Sequence, residues 1–332
     1  MLKFFLKLLV LAVVLLSIKI SLWTYLHTFR MKQFDESSYK LDSLLKPMRH
    51  RINTVFVGSS RTSHSFNPAV FDSVTHYQTR SFNHGLSAMF APNTFAECEK
   101  LLKMDGLHLK TIFLELSFPP TLTHEDPFGR DNPLNDIAFR NSHFLRETQS
   151  GHEQVQKGIS IYDSFLNHFF MLRSSVYLFA LAIVRDNPEN YIMTSTGFRY
   201  FRPGAFPSRL SNKIRTSSPP DTAKISHQFT DNERLYIDQL MQLVKQCNAA
   251  NVAIYFYLPN RMMQEEQQIL PNVYAALPDR YRIAVPFHRA FTSPFPADCS
   301  DDGKHLNRKT ATRYTQSFAR AFLQKAPVVA AQ

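Results

Sequence analysis

A short apolar run that ends abruptly in a glycine and two serines constrains the fold of this chain more than any other feature. The run, residues 54–57 (Thr-Val-Phe-Val), leads directly into Gly58, Ser59 and Ser60. Consecutive β-branched and aromatic residues predict a buried strand, and Gly-Ser predicts a tight turn at its end. In an open α/β fold such a turn lies at the carboxyl edge of the sheet, where ligands bind. The sequence therefore predicts either a functional serine at that edge or a serine that caps an ordinary loop.

A polar segment near the other end of the chain, residues 298–307, contains an aspartate and a histidine three positions apart. On a turn, Asp302 and His305 can face the same way, so that the carboxylate holds one imidazole nitrogen. The other nitrogen can then face a serine nucleophile, for which Ser60 is the candidate. The alternative is an aspartate that caps the last helix beside a surface histidine.

Three short motifs, taken in chain order, resemble the blocks of the SGNH/GDSL hydrolase superfamily. Its first block, usually Gly-Asp-Ser, corresponds to residues 58–60, and its last block, Asp-x-x-His, corresponds to residues 302–305. Between them, residues 81–87 (Ser-Phe-Asn-His-Gly-Leu-Ser) look like the second block. Ser59 replaces the usual aspartate, a variant found also in the membrane-anchored D-alanyl transfer protein of teichoic acid synthesis.

The third block of that family, normally Gly-x-Asn-Asp, is the main departure. It should follow the predicted strand at residues 111–114, where this chain has Glu115, Leu116 and Ser117 and no asparagine. Ser117 is the residue in this segment that would donate a hydrogen bond in place of the asparagine.

The resemblance implies a role for each matched residue at the two ends of the chain. Ser60 would attack an ester carbonyl, His305 would take its proton, and Asp302 would orient the imidazole and stabilise its charged form. This chemistry uses no cofactor and no metal ion.

The resemblance also implies which groups stabilise the oxyanion. The backbone N–H groups of Ser60 and Gly85 would receive it, with Ser117 or Asn83 as a third donor. Arg61, next to the proposed nucleophile, would bind an anionic substrate or would be an ordinary surface residue at the start of a helix.

Predicted strands and helices alternate along much of the chain, which is typical of an α/β fold with a parallel sheet. The resemblance implies the three-layer SGNH (flavodoxin-like) form, with helices on both faces. Strands are predicted at residues 54–57, 111–116, 252–258 and 282–285 with a short one near 78–82, and helices at 92–104, 231–249 and 308–324.

Residues 118–229 interrupt this alternation with prolines and an aromatic-rich stretch. We interpret them as a cap insertion over the active-site edge, with a structural insertion that touches no substrate as the alternative. Within them, residues 165–184 are apolar enough to suggest a second membrane span. Asn167, His168 and Arg173 interrupt that stretch, which favours a buried or membrane-resting helix.

The N-terminal residues 4–26 are long and apolar enough to predict a transmembrane helix, provided that Lys19 reaches an interface. A cleaved signal peptide is the alternative, although no small-x-small cleavage signature follows the apolar stretch. The prediction is an anchor at residues 1–30 in the cytoplasmic membrane and one SGNH-like domain at residues 31–332 on its periplasmic or extracellular side.

The chain has a formal net charge of +11, with its basic residues scattered rather than clustered. No nucleic-acid-binding motif accompanies them, so anionic lipid or acidic polysaccharide is the expected partner, with simple solubility as the alternative. Cys98, Cys247 and Cys299 allow at most one internal disulfide, and their spacing is not that of a metal site. Cys299 is a less economical nucleophile, since it would leave the Gly-Ser-Ser turn unexplained.

These observations predict a membrane-anchored serine esterase or O-acyltransferase that acts on acyl esters, acetyl esters above all, of a cell-envelope polysaccharide. The resemblance extends to envelope polysaccharide O-acetylation proteins and implies a multi-span membrane acyltransferase as partner. The alternative is a catalytically inactive glycan-binding or assembly subunit of an envelope complex, which the missing third-block asparagine favours.

Overall fold

A parallel sheet of four strands forms the centre of the domain, in the order β2-β1-β3-β6. The computed structural model describes residues 2–29, 36–87, 89–91, 93–117, 191–202, 229–262, 264–284 and 299–325. Its strands are β1 (Thr54–Gly58), β2 (Ser81–Gly85), β3 (Thr111–Glu115), β4 (Tyr191–Met193), β5 (Arg199–Phe201) and β6 (Ala253–Tyr257). Strands β4 and β5 pair with each other in a separate antiparallel hairpin.

The strand order places a switch point at the end of β1. This strand pairs in parallel with β2 on one side and with β3 on the other. The next two strands along the chain therefore lie on opposite sides of β1. Gly58 and Gly85, the last residues of β1 and β2, stand opposite each other in this pairing. A crevice at the carboxyl ends of the strands forms at such a point, and it is the usual ligand site of open α/β sheets.

The sequence alternation along the strands gives the sheet two chemically different faces, since successive side chains point to opposite sides. One face is mainly aliphatic and the other mainly aromatic. The aliphatic face carries Val55, Val57, Ile112, Leu114 and Ile254, with Phe256. The aromatic face carries Phe56, Phe113, Tyr255 and Tyr257.

Helices cover both faces. The helices of the structure are α1 (Leu2–Phe29), α2 (Ser60–Ser65), α3 (Pro68–Val74), α4 (Asn93–Leu102), α5 (Asp231–Ala249), α6 (Gln264–Ala276) and α7 (Arg308–Lys325). Short helical segments lie at Glu36–Ser38, Tyr39–Leu45, Lys46–Arg51 and Asp279–Tyr281. Apolar residues of α4, α5 and α6 join the aliphatic core, and those of α3 and α7 join the aromatic one.

The last helix is the main cover of the aromatic face. The ring of Phe318 lies 4.7 Å from that of Phe66, 5.2 Å from that of Phe113 and 6.0 Å from that of Phe56. Burial of one such ring contributes about 2 kcal/mol relative to exposure, so this helix stabilises the half of the core that carries the site.

The predicted fold class is confirmed as α/β, with a parallel sheet flanked by helices. Three strands and three helices lie within two residues of their predicted bounds. The short strand predicted near residues 78–82 lies slightly later, at Ser81–Gly85. The strand predicted at residues 282–285 is wrong for its described part, 282–284, where the pairing with the sheet is a single bridge from Arg282 to Phe256. Most of the predicted cap insertion, including residues 165–184, lies outside the described residues.

Helix α1 exposes apolar side chains between Phe4 and Ile20. Among the residues whose side chains the structure describes, no helix is long and apolar enough to cross a membrane. The anchor over residues 1–30 stays a prediction.

Candidate active site

Ser60 is the first residue of α2 and follows the end of β1 after one intervening residue. That residue, Ser59, caps the helix, since its Oγ accepts a hydrogen bond from the N–H of Arg61 at 3.1 Å. Serine is among the strongest N-cap residues, so the Gly-Ser-Ser turn begins a helix directly at the carboxyl end of the strand. Ser60 thereby lies at the switch point of the sheet.

The end of β2 packs directly against this turn because Gly85 has no side chain. A Cβ atom at Gly85 would lie only 2.8 Å from Ser59 O and from Ser63 Cα. Leu86 continues the contact by donating its N–H to Gly58 O at 2.9 Å. The glycine of the predicted second block therefore allows β2 and α2 to approach each other closely.

The loop before α7 folds around the carboxylate of Asp302. Its Oδ1 accepts the N–H groups of Lys304 and His305, each at 2.8 Å. Gly303 has a φ of 71°, in the left-handed region that glycine adopts without strain. Ser300 closes the turn by donating its hydroxyl to His305 O at 2.5 Å. Backbone hydrogen bonds therefore fix this carboxylate independently of the imidazole.

A chain of hydrogen bonds joins the two ends of the sequence at the sheet edge. Asp302 Oδ2 lies 2.7 Å from His305 Nδ1, and His305 Nε2 lies 2.9 Å from Ser60 Oγ. The imidazole is 19% exposed and the carboxylate 12%, so solvent reaches the group only partly. Burial would raise the pKa of Asp302, but His305 and the backbone N–H groups together hold it below its usual value. The carboxylate therefore stays charged and can stabilise an imidazolium.

Two rings pack beside the imidazole of His305, and we call them the aromatic wall: His64 and Phe201. The His64 ring lies 4.5 Å from that of His305, and the Phe201 ring stacks on His64 at 4.7 Å. Burial, followed by the nearby charges of His305, Arg199 and Lys40, holds the pKa of His64 well below its usual value. His64 is therefore neutral, and the wall presents uncharged rings beside the base.

The predicted oxyanion donors of β2 lie beside α2, but their polar groups are engaged inside the protein. The Gly85 N–H donates to Asn83 Oδ1 at 2.9 Å. The Asn83 side-chain amide in turn donates to the carbonyl oxygens of Thr62 at 2.9 Å and Phe66 at 2.7 Å. Among the described residues, the N–H of Ser60 meets no acceptor, because a helix leaves its first N–H groups without internal partners. It is the backbone donor that this geometry leaves for an oxyanion.

Ser117, the proposed substitute for the third-block asparagine, is buried behind the sheet edge. Its Oγ accepts the N–H of Ala91 at 2.9 Å, and the Tyr236 hydroxyl donates to its carbonyl oxygen at 2.8 Å. The structure does not bring the Ser117 hydroxyl into contact with Ser60 or His305.

Arg61 lies between two buried glutamates. Its Nε donates to Glu115 Oε1 at 2.8 Å, and its Nη1 and Nη2 donate to Glu266 at 2.5 and 2.9 Å. Burial opposes the charge of Arg61, but the two carboxylates raise the pKa of the guanidinium above its usual value. The Arg61 side chain is only 10% exposed, and its guanidinium is therefore held in an internal ion-pair network.

Glu115 occupies the position where the third block was expected, and sequence reasoning assigned it no role. It ends β3 and accepts hydrogen bonds from the hydroxyls of Ser59, at 2.8 Å, and Thr62. The Thr62 oxygen also lies 2.7 Å from the Tyr257 hydroxyl. Glu115 thus ties the end of β3 to the turn that presents Ser60. The available signal was a charged residue at the carboxyl end of an apolar parallel strand, since such residues are rarely buried without a partner.

The cysteines offer no competing chemistry. Among the described residues, Cys98, Cys247 and Cys299 form no disulfide, and burial raises the pKa of Cys98 and that of Cys247, the latter to about 12. Cys299 precedes the histidine loop, but the free nitrogen of His305 faces Ser60 instead. Within the described part of the chain, no group of three or more His, Cys, Asp and Glu side chains could hold a metal ion.

No protein-family model matches this chain, and no curated protein or solved structure matches it either. A functional assignment therefore depends on the arrangement of the side chains. A hydroxyl that contacts an imidazole, which is itself oriented by a carboxylate, can lose its proton as it attacks an electrophilic carbonyl.

Proposed function

We propose that this protein is a serine esterase or O-acyltransferase of the SGNH/GDSL type, with Ser60 as nucleophile, His305 as base and Asp302 as its orienting acid. The observation that carries the proposal is the continuous hydrogen-bond chain from Asp302 Oδ2 through His305 to Ser60 Oγ, with contacts of 2.7 and 2.9 Å. Both contacts lie within the range that general-base catalysis requires.

The reaction proceeds through an acyl-serine. Ser60 Oγ forms a bond to the ester carbonyl carbon while His305 Nε2 takes the hydroxyl proton, and the carbonyl oxygen becomes an oxyanion. The Ser60 N–H donates to that oxygen. The bond to the alcohol then breaks, and the alcohol leaves with the proton from His305. Water or a sugar hydroxyl next attacks the acyl-serine, His305 takes the proton of that attacker, and Ser60 recovers its hydroxyl as the acyl group departs.

The acyl group that fits this arrangement best is small. The aromatic wall of His64 and Phe201 closes one side of the base, with the Phe201 ring 6.0 Å from that of His305. An acetyl group needs less space between the wall and the Ser60 hydroxyl than any longer acyl group does.

The substrate in this proposal is an acyl ester of a cell-envelope polysaccharide, and the partner is a multi-span membrane acyltransferase. The motif resemblance supports both, and the net charge of +11 suits an acidic polymer or an anionic membrane surface. The domain would act on the outer side of the cytoplasmic membrane, with α1 as its attachment. The exposed apolar side chains between Phe4 and Ile20 support that attachment.

Alkaline carbonate extraction of membranes tests the attachment. The full chain should remain with the membrane pellet, and protease added outside should digest the domain at residues 31–332. A mature N-terminus after about residue 20, found by mass spectrometry, would instead identify a cleaved leader.

A non-catalytic glycan-binding or assembly subunit is the second candidate. One observation favours it: the Gly85 N–H and the Asn83 amide, which would stabilise an oxyanion, are engaged in hydrogen bonds within the protein. Such a subunit would bind an acylated polysaccharide without turning it over.

Covalent labelling with a fluorophosphonate separates the two candidates, because the probe reacts only with an activated serine. The full-length chain in detergent should be labelled, peptide mapping should place the adduct on Ser60, and acetyl esters should be hydrolysed. A chain that binds acetylated polysaccharide but neither reacts with the probe nor turns over esters would establish the second candidate and reject the first.

A further inference from the structure

Lys40 has no exposed surface and lies where several elements of the site meet. It belongs to the helical segment Tyr39–Leu45, which precedes β1. Its Nζ donates to the carbonyl oxygens of Gly85 at 2.6 Å, Gly197 at 2.9 Å and Asn83 at 3.2 Å. An ammonium group has three donors, so these three carbonyls can use all of them.

The acceptors of Lys40 belong to different parts of the fold. Two lie at the end of β2, and the third lies in the turn between β4 and β5. That turn also accepts the N–H of Asn83 at Thr196 O, at 2.9 Å. A fourth contact, 3.3 Å from Lys40 Nζ to Ser63 Oγ, reaches α2. Lys40 thus joins the β4–β5 hairpin, the end of β2 and the helix that begins with Ser60.

The hairpin matters to the site because it carries one half of the aromatic wall. Phe201 ends β5 and stacks on His64, which lies against His305. A second tie comes from Arg199, whose guanidinium pairs with Glu36, four residues before Lys40. The position of the wall therefore depends on contacts between the hairpin and the segment that precedes the sheet.

The ammonium group depends on its carbonyl partners. Burial lowers the pKa of Lys40 to about 7, while Glu36 at 3.9 Å opposes the shift and Arg199 adds to it. Within the described part of the chain, His64 is a further titratable neighbour, and it is neutral. The carbonyl oxygens thus replace the water that a buried charge loses. Removal of the ammonium takes a donor from three buried carbonyl oxygens, each of which then loses part of its stabilisation.

We infer that Lys40 is a positioning residue of the site: its ammonium group holds the β4–β5 hairpin against β2 and α2, so that Phe201 closes the acyl side of His305. We call the contacts of Lys40 Nζ with the carbonyl oxygens of Asn83, Gly85 and Gly197 the clamp. The catalytic consequence rests on the proposed function, whereas the clamp itself is a property of the fold. Loss of the clamp should slow acylation of Ser60 and should admit larger acyl groups.

The test compares Lys40→Met with Lys46→Met in the full-length chain at about pH 6, one unit below the lowered pKa, where the ammonium form predominates. Lys46 is the matched control, because it lies only six residues away and its side chain is 62% exposed. Lys40→Met should reduce the rate of fluorophosphonate labelling by about 10²-fold, as expected for a displacement near the reacting atoms. It should also raise butyryl ester turnover relative to acetyl turnover. Lys46→Met should change neither.

Amide hydrogen exchange tests whether the clamp holds the hairpin, and it does so independently of catalysis. Exchange in residues 82–87 and 191–202 should accelerate in Lys40→Met and not in Lys46→Met. Gly197→Ala is a second variant that leaves the lysine intact. A Cβ there would clash with Asn83 O, one of the acceptors of Lys40, and would lie 3.2 Å from the Phe82 ring at a φ of 81°, so it should push the turn away from β2. Both variants should show the same exchange pattern and the same shift toward butyryl esters.

The outcomes separate the two proposals. If the unaltered chain is not labelled, the proposed function fails, and hydrogen exchange alone decides whether Lys40 forms the clamp. If the unaltered chain is labelled, and Lys40→Met and Gly197→Ala keep its labelling rate, acyl preference and exchange pattern, the positioning role is rejected. If Lys40→Met does not fold, Gly197→Ala decides by the same three measurements.

Discussion

The neighbouring residues Ser59 and Ser60 have the same functional group, but their hydroxyls lie in different environments. Ser60 Oγ lies 2.9 Å from an imidazole nitrogen at a partly exposed edge. Ser59 Oγ is buried, donates to Glu115 at 2.8 Å and accepts from Arg61. One hydroxyl faces a base that can take its proton, and the other already has fixed partners for its proton and for its oxygen. The comparison teaches that hydrogen-bond partner and accessibility, not residue type, distinguish the candidate nucleophile from its neighbour.

Replacing each serine in turn should produce the largest difference. Ser60→Ala should abolish ester turnover, a loss of about 10⁶-fold in kcat, because it removes the attacking atom while leaving the helix cap in place. Ser59→Ala should retain fluorophosphonate labelling and lower the free energy of unfolding by about 1 kcal/mol, because it removes the N-cap. Turnover assays and urea unfolding measure the two effects. An active Ser60→Ala beside an inactive Ser59→Ala would reverse the assignment, and two active variants would remove the nucleophile from this turn.

The base should behave as part of the same unit as the nucleophile. His305→Ala should lower kcat nearly as much as Ser60→Ala, and the double variant should be only slightly worse than either, because residues that act together give non-additive losses. Steady-state kinetics on an acetyl ester with all three variants provides the measurement. Losses that multiply would mean that Ser60 and His305 act independently, and the non-catalytic candidate would gain support.

Changes in the buried ion-pair network of Arg61 should alter the free energy of unfolding rather than the preference for anionic esters. Arg61→Met leaves Glu115 and Glu266 without their shared cation, and breaking a buried ion pair lowers the free energy of unfolding by about 3–5 kcal/mol. The ratio of turnover for anionic and neutral esters should not change, because the guanidinium is engaged inside the protein. Urea unfolding and paired-substrate kinetics measure the two quantities. A selective loss for anionic esters would show that Arg61 contacts substrate after all.

The smallest expected effect concerns the contribution of Asp302 to the stability of the fold in acid. The folded state holds the pKa of Asp302 below 3.8, so it binds this proton less readily than the unfolded chain does. The resulting stabilisation is complete above about pH 4 and is lost as the pH falls through the lowered pKa. Asp302→Asn should therefore be less stable than the unaltered chain at neutral pH, with a difference that narrows in acid. Urea unfolding at several pH values checks this, and a difference independent of pH would contradict it.

The elements with strong local patterns could be predicted from sequence. Residues 54–57 and 111–116 are apolar runs, and Asp231–Ala249 combines a capping box with an apolar stripe. Helix α6 escaped prediction because Pro271 interrupts its pattern. The sequence indicates helix α2 only as an alternative, a helix start at Arg61, because its six residues are polar and owe their helical form to the Ser59 cap. The β4–β5 hairpin has strands of three residues, which is too short for a periodic signal.

The residues of the candidate site also differ in how far the sequence indicates them. Ser60 and His305 stand in recognisable local motifs, so their sequence separation of 245 residues did not hide them. Arg61 forms a network with Glu115, which lies 54 positions further along the chain, and with Glu266, which lies 205 positions further. No sequence motif surrounds either glutamate. Only the sheet topology brings those groups together. Sequence patterns therefore indicate residues whose local chemistry is distinctive, and they miss residues whose partners are decided by long-range packing.

The position of α7 has a consequence for how the protein is made. Residues 308–325 are synthesised after all the strands of the sheet, and Phe318 and Phe322 complete the aromatic core between the sheet and α3. Until they emerge from the ribosome, the rings of Phe56 and Phe113 lack their cover, and His305 is not yet held beside Ser60. Under the proposed function, the nascent chain is inactive until α7 has been made. A chain that terminates before α7 exposes an aromatic surface that quality-control proteases can recognise.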